Sequence, residues 1–320
     1  MLWHLLDSIQ LIWKMSKKFL FSDIQHYITA HMRPRSIVVI YGPTASGKTS
    51  LSLDIAEKYN GEIISADSRI IYQGMVIGTA APTTEEMRSI PHYFVNTVSP
   101  DVIYTVKDFQ EDASRCIQDI LQRGKLPIVV GGTNMYIDAL IDGYSVSEYS
   151  VDEVIRKTLE QLSDSEAFQL LQETDPDTAK TVDPYNRRHF IRKLEFCLMT
   201  GKLYSTECKR IAPTFFDPIK IGLLWEKDDL HIRIDRRVDI MMEQGMIAET
   251  KELLTVYSND HPAMTSIGYK QVGEYLQGQY GYEELLKKIK QVTRNYAKRQ
   301  MTWLRAKKDV HFFSCYEEEV

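Results

Sequence analysis

The segment Gly42-Pro43-Thr44-Ala45-Ser46-Gly47-Lys48-Thr49 constrains this chain more than any other. It fulfils the pattern GxxxxGK[ST], and its flanks are those the pattern requires. Before it runs the β-branched stretch Ile37-Val38-Val39-Ile40-Tyr41; after it Leu51, Ile55, Ala56 and Tyr59 keep helical spacing as far as Asn60-Gly61, a helix-ending signal. Strand, glycine loop and helix in that order let successive backbone N–H groups and the helix N-terminus converge on one anion. Gly42 to Thr49 are therefore the predicted polyphosphate- or diphosphate-binding residues, with Lys48 neutralising the anion and the Thr49 hydroxyl able to hold Mg²⁺.

A second strand, Glu62-Ile63-Ile64-Ser65-Ala66, runs into Asp67 and completes a βαβ unit, which belongs in a parallel sheet. A helix is predicted over Asp108–Arg123, a third strand over Pro127–Val130 ending at Gly131-Gly132, and another over Ile219–Leu224. Residues 144–208 are polar and helical in period with no strand signal, which reads as an α-helical insertion. Further helices are expected at 228–244, stopped by Gly245, at 246–257 and at 282–308. The expected class is α/β: a P-loop NTPase-like parallel sheet flanked by helices (33–143 and 209–320) with an α-helical insertion domain (144–208). Residues 1–32 form an N-terminal extension of unassigned role. Leu2, Leu5, Leu6, Ile9, Ile12 and Trp13 recur there at helical spacing, without the basic start or cleavage site of a signal peptide. That stretch reads as an extra amphipathic helix or as a start placed too early, since Met15 and Met32 follow; the acidic end Glu317–Glu319 reads as frayed.

Lys+Arg 39 against Asp+Glu 44 gives a net charge of −5, which excludes a uniformly basic nucleic-acid binder but not a local stripe. Two such stripes exist. From Lys287 to Lys308 there are nine basic residues and no acidic one, with Tyr296 and Trp303 interleaved; Arg187, Arg188, His189, Arg192 and Lys193 form the other, in the insertion. Either alone reads equally well as a solvated surface; both beside a phosphate loop point to a polyanion larger than a nucleotide. The four cysteines make no CxxC pair or zinc spacing and fit a reducing compartment. No stretch reaches the roughly 20 apolar residues that cross a bilayer. The expectation is a cytoplasmic monomer with no membrane contact.

The loop leaves open whether its anion is ATP, and the next strands bear on that. Nucleotide hydrolases carry a metal-binding aspartate at the end of a later apolar strand, but here Ile128-Val129-Val130 runs into Gly131-Gly132-Thr133. The one strand-end carboxylate beside the loop is Asp67. Strand ends face the ligand crevice in such sheets, so Asp67 is the candidate base for a nucleophile attacking the carbon that bears the leaving group; a cap of the next helix or turn is the lesser alternative. Thr133 is expected across the crevice from Asp67, or as an N-cap. On the helix carrying Leu230, Ile234 and Val238, Arg233, Arg236 and Arg237 are candidates to reach the leaving group, with Arg233 chosen. His92 is assigned no catalytic role.

These residues resemble the bacterial tRNA dimethylallyltransferase family, also called tRNA isopentenyltransferase. The matching blocks are GPTASGKT (42–49), ISADS (64–68), GMVIGTAAP (74–82), IPHY (90–93), VGGTNMY (130–136), IGYKQ (267–271) and TRNYAKRQMTWLR (293–305). The resemblance implies transfer of a dimethylallyl group from dimethylallyl diphosphate, with Mg²⁺, to N6 of the adenosine after the anticodon, position 37 of tRNA. It implies Asp67 as base, Thr133 near the reacting amine and Lys48 among the catalytic residues. The tRNA-contacting segments it implies are Asp67, Ser68, Arg69 and Ile70; Arg188, His189, Phe190, Ile191 and Arg192; and Thr265, Ser266, Ile267, Gly268, Tyr269 and Lys270, together with Thr133. Three departures stand out: His189 replaces the first of two arginines three apart, Ala81 replaces a frequent lysine, and the zinc finger of eukaryotic relatives is absent.

The hypothesis that follows lays the anticodon stem-loop between core and insertion with the target adenine unstacked. Competing readings are a P-loop small-molecule kinase closing the Arg187–Arg192 cluster over ATP, an enzyme prenylating free adenine nucleotides, and a nucleotide-switched binding module.

Overall fold

The computed structural model describes residues 20–143, 153–207 and 215–315. Strands β1 (Ser36–Tyr41), β2 (Gly61–Ser65), β3 (His92–Tyr93), β4 (Leu126–Val130), β5 (Asp217–Trp225) and β6 (His311–Cys315) form one sheet. Their order is β3-β2-β4-β1-β5-β6 and every pairing is parallel. All residues of β1, β2 and β4 are buried, which is why they read as unbroken apolar runs: both faces of a parallel sheet are covered. The two strands the sequence hid are β3, only two residues long, and β6, an edge strand with one buried residue.

Helix α1 covers 20–31 among the described residues and α2 is Lys48–Tyr59. Asn60 ends α2 in the left-handed region (φ 52°) and Gly61 follows because a Cβ there would stand 2.7 Å from Ile128 Cδ1. Residues 20–31 of the extension pack into the core. Ile24 and Ile28 of α1 lose all exposure in the cluster that holds Val38, Ile40 and Ile221, and Tyr27 stacks on His311 at 4.1 Å. The helix suggested over Leu2–Trp13 and the acidic end lie outside the described residues.

Helix α3 (Val106–Gln122) starts with a Thr105/Asp108 capping box, and α4 (Asn134–Asp142) follows β4. The chain divides into two compact units, 1–137 with 214–320 and 138–213. The second contains α5 (Glu153–Gln161), α6 (Asp164–Thr174), α7 (Pro176–Thr181), α8 (Arg187–Thr200) and α9 (Tyr204–Glu207). Leu159, Ala167, Leu171, Phe190 and Leu194 are its own core, and Arg187 clamps it by pairing Asp164 at 2.6 Å and donating to Leu162 O at 2.8 Å.

In the first unit α10 (Lys227–Glu243), α11 (Met246–Leu253), α12 (Tyr269–Leu276) and α13 (Tyr282–Arg305) complete the helices. Gly245 stops α10 as expected, at φ 100°. The helix expected to 257 ends at Leu253, and α12 was not expected at all.

Candidate active site

Three loops open on one edge of the sheet, from the carboxyl ends of β2, β4 and β1, which are neighbours in that order. The phosphate loop after β1 turns through two left-handed residues, Ala45 (φ 62°) and Gly47 (φ 86°). Gly47 caps α2 without any side-chain bond, so the first N–H groups of the helix remain for an anion. Ser46 Oγ is buried with no partner, and a Cβ on Gly42 would come within 2.7 Å of it. From outside, Trp225 Nε1 donates to Ser46 O at 3.1 Å and Arg233 Nε to Ala45 O at 2.8 Å, with the Arg233 guanidinium 4.5 Å over the Trp225 ring.

A cavity of about 360 Å³ lies against this loop, lined by Ala45 to Thr49, Arg233, Arg236, Arg237 and Ile240. Lys48 Nζ donates to Pro43 O at 2.6 Å. Burial first, then the Arg237 charge, push the Lys48 ammonium down to about 7, with Asp67 opposing. Arg237 is likewise held below its ordinary value by burial, partly offset by Asp67. Arg233 thus braces the loop backbone, whereas Arg237, the candidate not chosen from the sequence, forms no ion pair or hydrogen bond among the described residues and lines the cavity. Its signal was present in the sequence as the third arginine of α10, one helical turn beyond Arg233.

Asp67 fills the turn-capping role considered for it with one carboxylate oxygen and leaves the other out of that cap. Oδ1 accepts from Arg69 N–H (2.9 Å) and Ile70 N–H (3.4 Å), capping the turn; Oδ2 stands 3.6 Å from where a Cβ on Gly132 would be. Thr133 lies beside Asp67 rather than across from it, because β4 pairs directly with β2 (Ser65 against Val130). Its N–H donates to Ala66 O at 3.2 Å, and its hydroxyl accepts from Ser68 N–H at 3.0 Å and donates to Ser68 Oγ at 3.3 Å. Gly131 must be glycine, since a Cβ would collide with the Ala66 carbonyl.

Two further side chains, Tyr296 and Gln300 of α13, converge on Gly132 O at 3.2 and 2.8 Å. Burial, and next the Asp67 charge, raise the Tyr296 phenol. Both fall within the block TRNYAKRQMTWLR, where the sequence assigns neither a role of its own; the signal for one is a glutamine at a core position of the stripe Ala297, Met301, Leu304.

The predicted RNA segments split by helical period. On α8, Arg188, His189 and Arg192 are exposed, Ile191 is half-buried, and Phe190 is fully buried in the core of its unit. Burial and neighbouring Lys193 lower the His189 imidazole. Within 265–270, Thr265 and Lys270 are exposed and Ile267 half-buried, but Ser266, Gly268 and Tyr269 are interior. Tyr269 donates to Glu249 Oε1 at 2.6 Å, and the Glu249 carboxylate also takes the N–H groups of Val76, Ile77 and Gly78. Ser68, Arg69 and Ile70 are half-buried, and Arg69 Nη1 reaches Pro262 O at 3.1 Å, tying the 67–70 turn to the segment before Thr265.

The stripe on α13 is less one-signed than the sequence shows. Lys290 pairs Asp239 at 2.6 Å and Arg294 Nε pairs Asp235 at 3.0 Å, both on α10, while Lys288 and Lys307 sit 4.3 Å over Tyr280 and Trp303. Lys287, Lys298, Arg299, Arg305 and Lys308 remain exposed.

Comparison with known proteins gives one family. The IPP transferase family matches residues 70–307. The tRNA dimethylallyltransferase of Staphylococcus epidermidis is 40% identical over 286 residues, 87% of this chain and 86% of its own length. tRNA dimethylallyltransferase 2 of Geotalea uraniireducens is 44% identical over 274 residues, 83% and 88% of the two chains. Among solved structures, the tRNA isopentenylpyrophosphate transferase of Bacillus halodurans superposes with TM-score 0.67 at 37% identity, over 90% of this chain and 92% of that one. A eukaryotic dimethylallyltransferase acting on tRNA gives 0.76 at 32% identity, over 88% and 74%.

Proposed function

The chain belongs to the IPP transferase family, and from that premise we propose how its own residues would carry the reaction. It is a transferase that moves a dimethylallyl group from dimethylallyl diphosphate to N6 of a tRNA adenosine, the one at position 37 after the anticodon.

One observation supports this reading above the rest: a proton acceptor, Asp67 Oδ2, and a cationic phosphate cradle stand at strand ends on either side of β4, with Gly131 and Gly132 between them. The adenine N6 lone pair attacks C1 of the dimethylallyl group, the C1–O bond breaks, and the N6 proton passes to Asp67 Oδ2. Thr133 Oγ1, held by the Ser68 N–H and hydroxyl, would orient the amine. Departing diphosphate is held by the loop N–H groups, Lys48 and Arg237, with Arg233 keeping the loop in shape.

Mg²⁺ fits the oxygens present. Thr49, the second residue of α2, is exposed, and its hydroxyl would hold the ion beside the diphosphate. When bound it neutralises charge on the leaving group. The tRNA anticodon stem-loop would meet the exposed members of the predicted segments, Arg188, His189, Arg192, Thr265 and Lys270, with Phe190, Ser266, Gly268 and Tyr269 supporting them from the interior. No helix among the described residues is long and apolar enough to cross a membrane; a monomer working in the cytoplasm completes the proposal.

The test is to incubate the protein with dimethylallyl diphosphate, Mg²⁺ and unmodified tRNA and to look by mass for a prenylated adenosine. Consumption of nucleoside triphosphate with no prenylated product would overturn it in favour of a kinase.

A further inference from the structure

Gln300 is 4% exposed, 256 residues from Thr44 in sequence, and bonded at both ends of its amide. Oε1 accepts from Thr44 N–H at 2.8 Å, inside the phosphate loop. Nε2 donates to Gly132 O at 2.8 Å, in the turn that carries Thr133 and flanks Asp67 Oδ2. The amide packs directly on the glycine: a Cβ on Gly132 would stand 2.6 Å from Nε2.

Resting on the function proposed above, we propose that Gln300 is a positioning residue: its amide fixes the spacing between the loop that holds the electrophile and the turn that presents the proton acceptor. Only an amide does this with one planar group, accepting from one strand end and donating to the other. Tyr296, four residues earlier on α13, braces the same carbonyl, so α13 sets the Gly132 turn from above through two side chains. Thr44 N–H, being taken by Gln300, is not one of the donors to the anion.

Near-attack geometry is steep in distance, and a displacement of about 1 Å costs on the order of 100-fold in rate. Q300M keeps length and apolar volume while removing both bonds. We expect kcat to fall on the order of 100-fold with the KM for dimethylallyl diphosphate moving less than about threefold. Q300E supplies the second readout. Ionised, its carboxylate faces the Gly132 carbonyl; protonated, it reproduces the acceptor and donor of the amide, so its activity relative to wild type should climb at least about fivefold from pH 8 to pH 6. Each rate is divided by the fraction of molecules that bind inorganic diphosphate calorimetrically, which removes losses from misfolding. Full kcat in Q300M, a loss seen only in KM, or a flat Q300E to wild-type ratio across pH would overturn the proposal. Wild-type protein that fails to prenylate tRNA would instead overturn the function on which it rests.

Discussion

Diphosphate binding should draw a proton from solution at alkaline pH. Lys48 lies in the cradle with its ammonium pushed down to about 7 by burial and by Arg237, so at pH 8 roughly 0.9 of the unliganded molecules hold it neutral. A diphosphate brings opposite charge into contact and restores the ammonium. Uptake should therefore be ~0.9 proton per site at pH 8, ~0.5 at pH 7 and ~0.1 at pH 6. Each pH unit above 7 costs about 1.4 kcal/mol of binding, about tenfold in affinity. The ligand contributes little at pH 8, because a phosphate ester completes its ionisation near pH 6.

Calorimetric titration with dimethylallyl diphosphate in buffers of differing ionisation enthalpy counts the protons directly. K48R, which stays charged, should abolish the uptake; R237Q should reduce it by removing the like charge. The sign for stability is opposite. With the folded value depressed, the unfolded chain binds the extra proton between pH 7 and 10.5, so the unliganded fold gains stability as pH rises through that window. Zero uptake at pH 8, or affinity unchanged from pH 7 to 9, would refute this account of the cradle.

D67N keeps the oxygen that caps the 67–70 turn but not the base, so turnover should drop on the order of 100-fold or more with tRNA affinity within about threefold; equal losses in filter binding and turnover would argue against a base. In the second unit, R192A should weaken tRNA binding and flatten its salt dependence without moving Tm, whereas F190A should lower thermal stability by about 3–5 kcal/mol. The reverse pattern would contradict the split seen along α8. Glu62, 1% exposed, is bonded to Arg123, Lys125 at 2.6 Å and Tyr93 at 2.7 Å, and its carboxyl is pulled down to about 2 chiefly by the Arg123 hydrogen bond. That contribution is present above the ordinary carboxylate value and lost as pH falls toward 2; E62Q should cost about 3 kcal/mol in urea unfolding at pH 7, and a cost under about 1 would count against the pairing.

What could be read along the chain was whatever depends on neighbours in sequence. The phosphate loop, the Asn60 stop, the buried strands before Gly42, Asp67 and Gly131, and the helical insertion each follow from backbone sterics or from apolar period, which act over a few residues. Tertiary structure decided what depends on distant partners. It put β4 between β2 and β1, so Thr133 stands beside Asp67. It brought Asp235 and Asp239 against the basic helix, folded 20–31 into the core, and delivered Gln300 to Thr44. Such pairings are chosen by the packing of a whole sheet and its flanking helices, and no local pattern carries that choice.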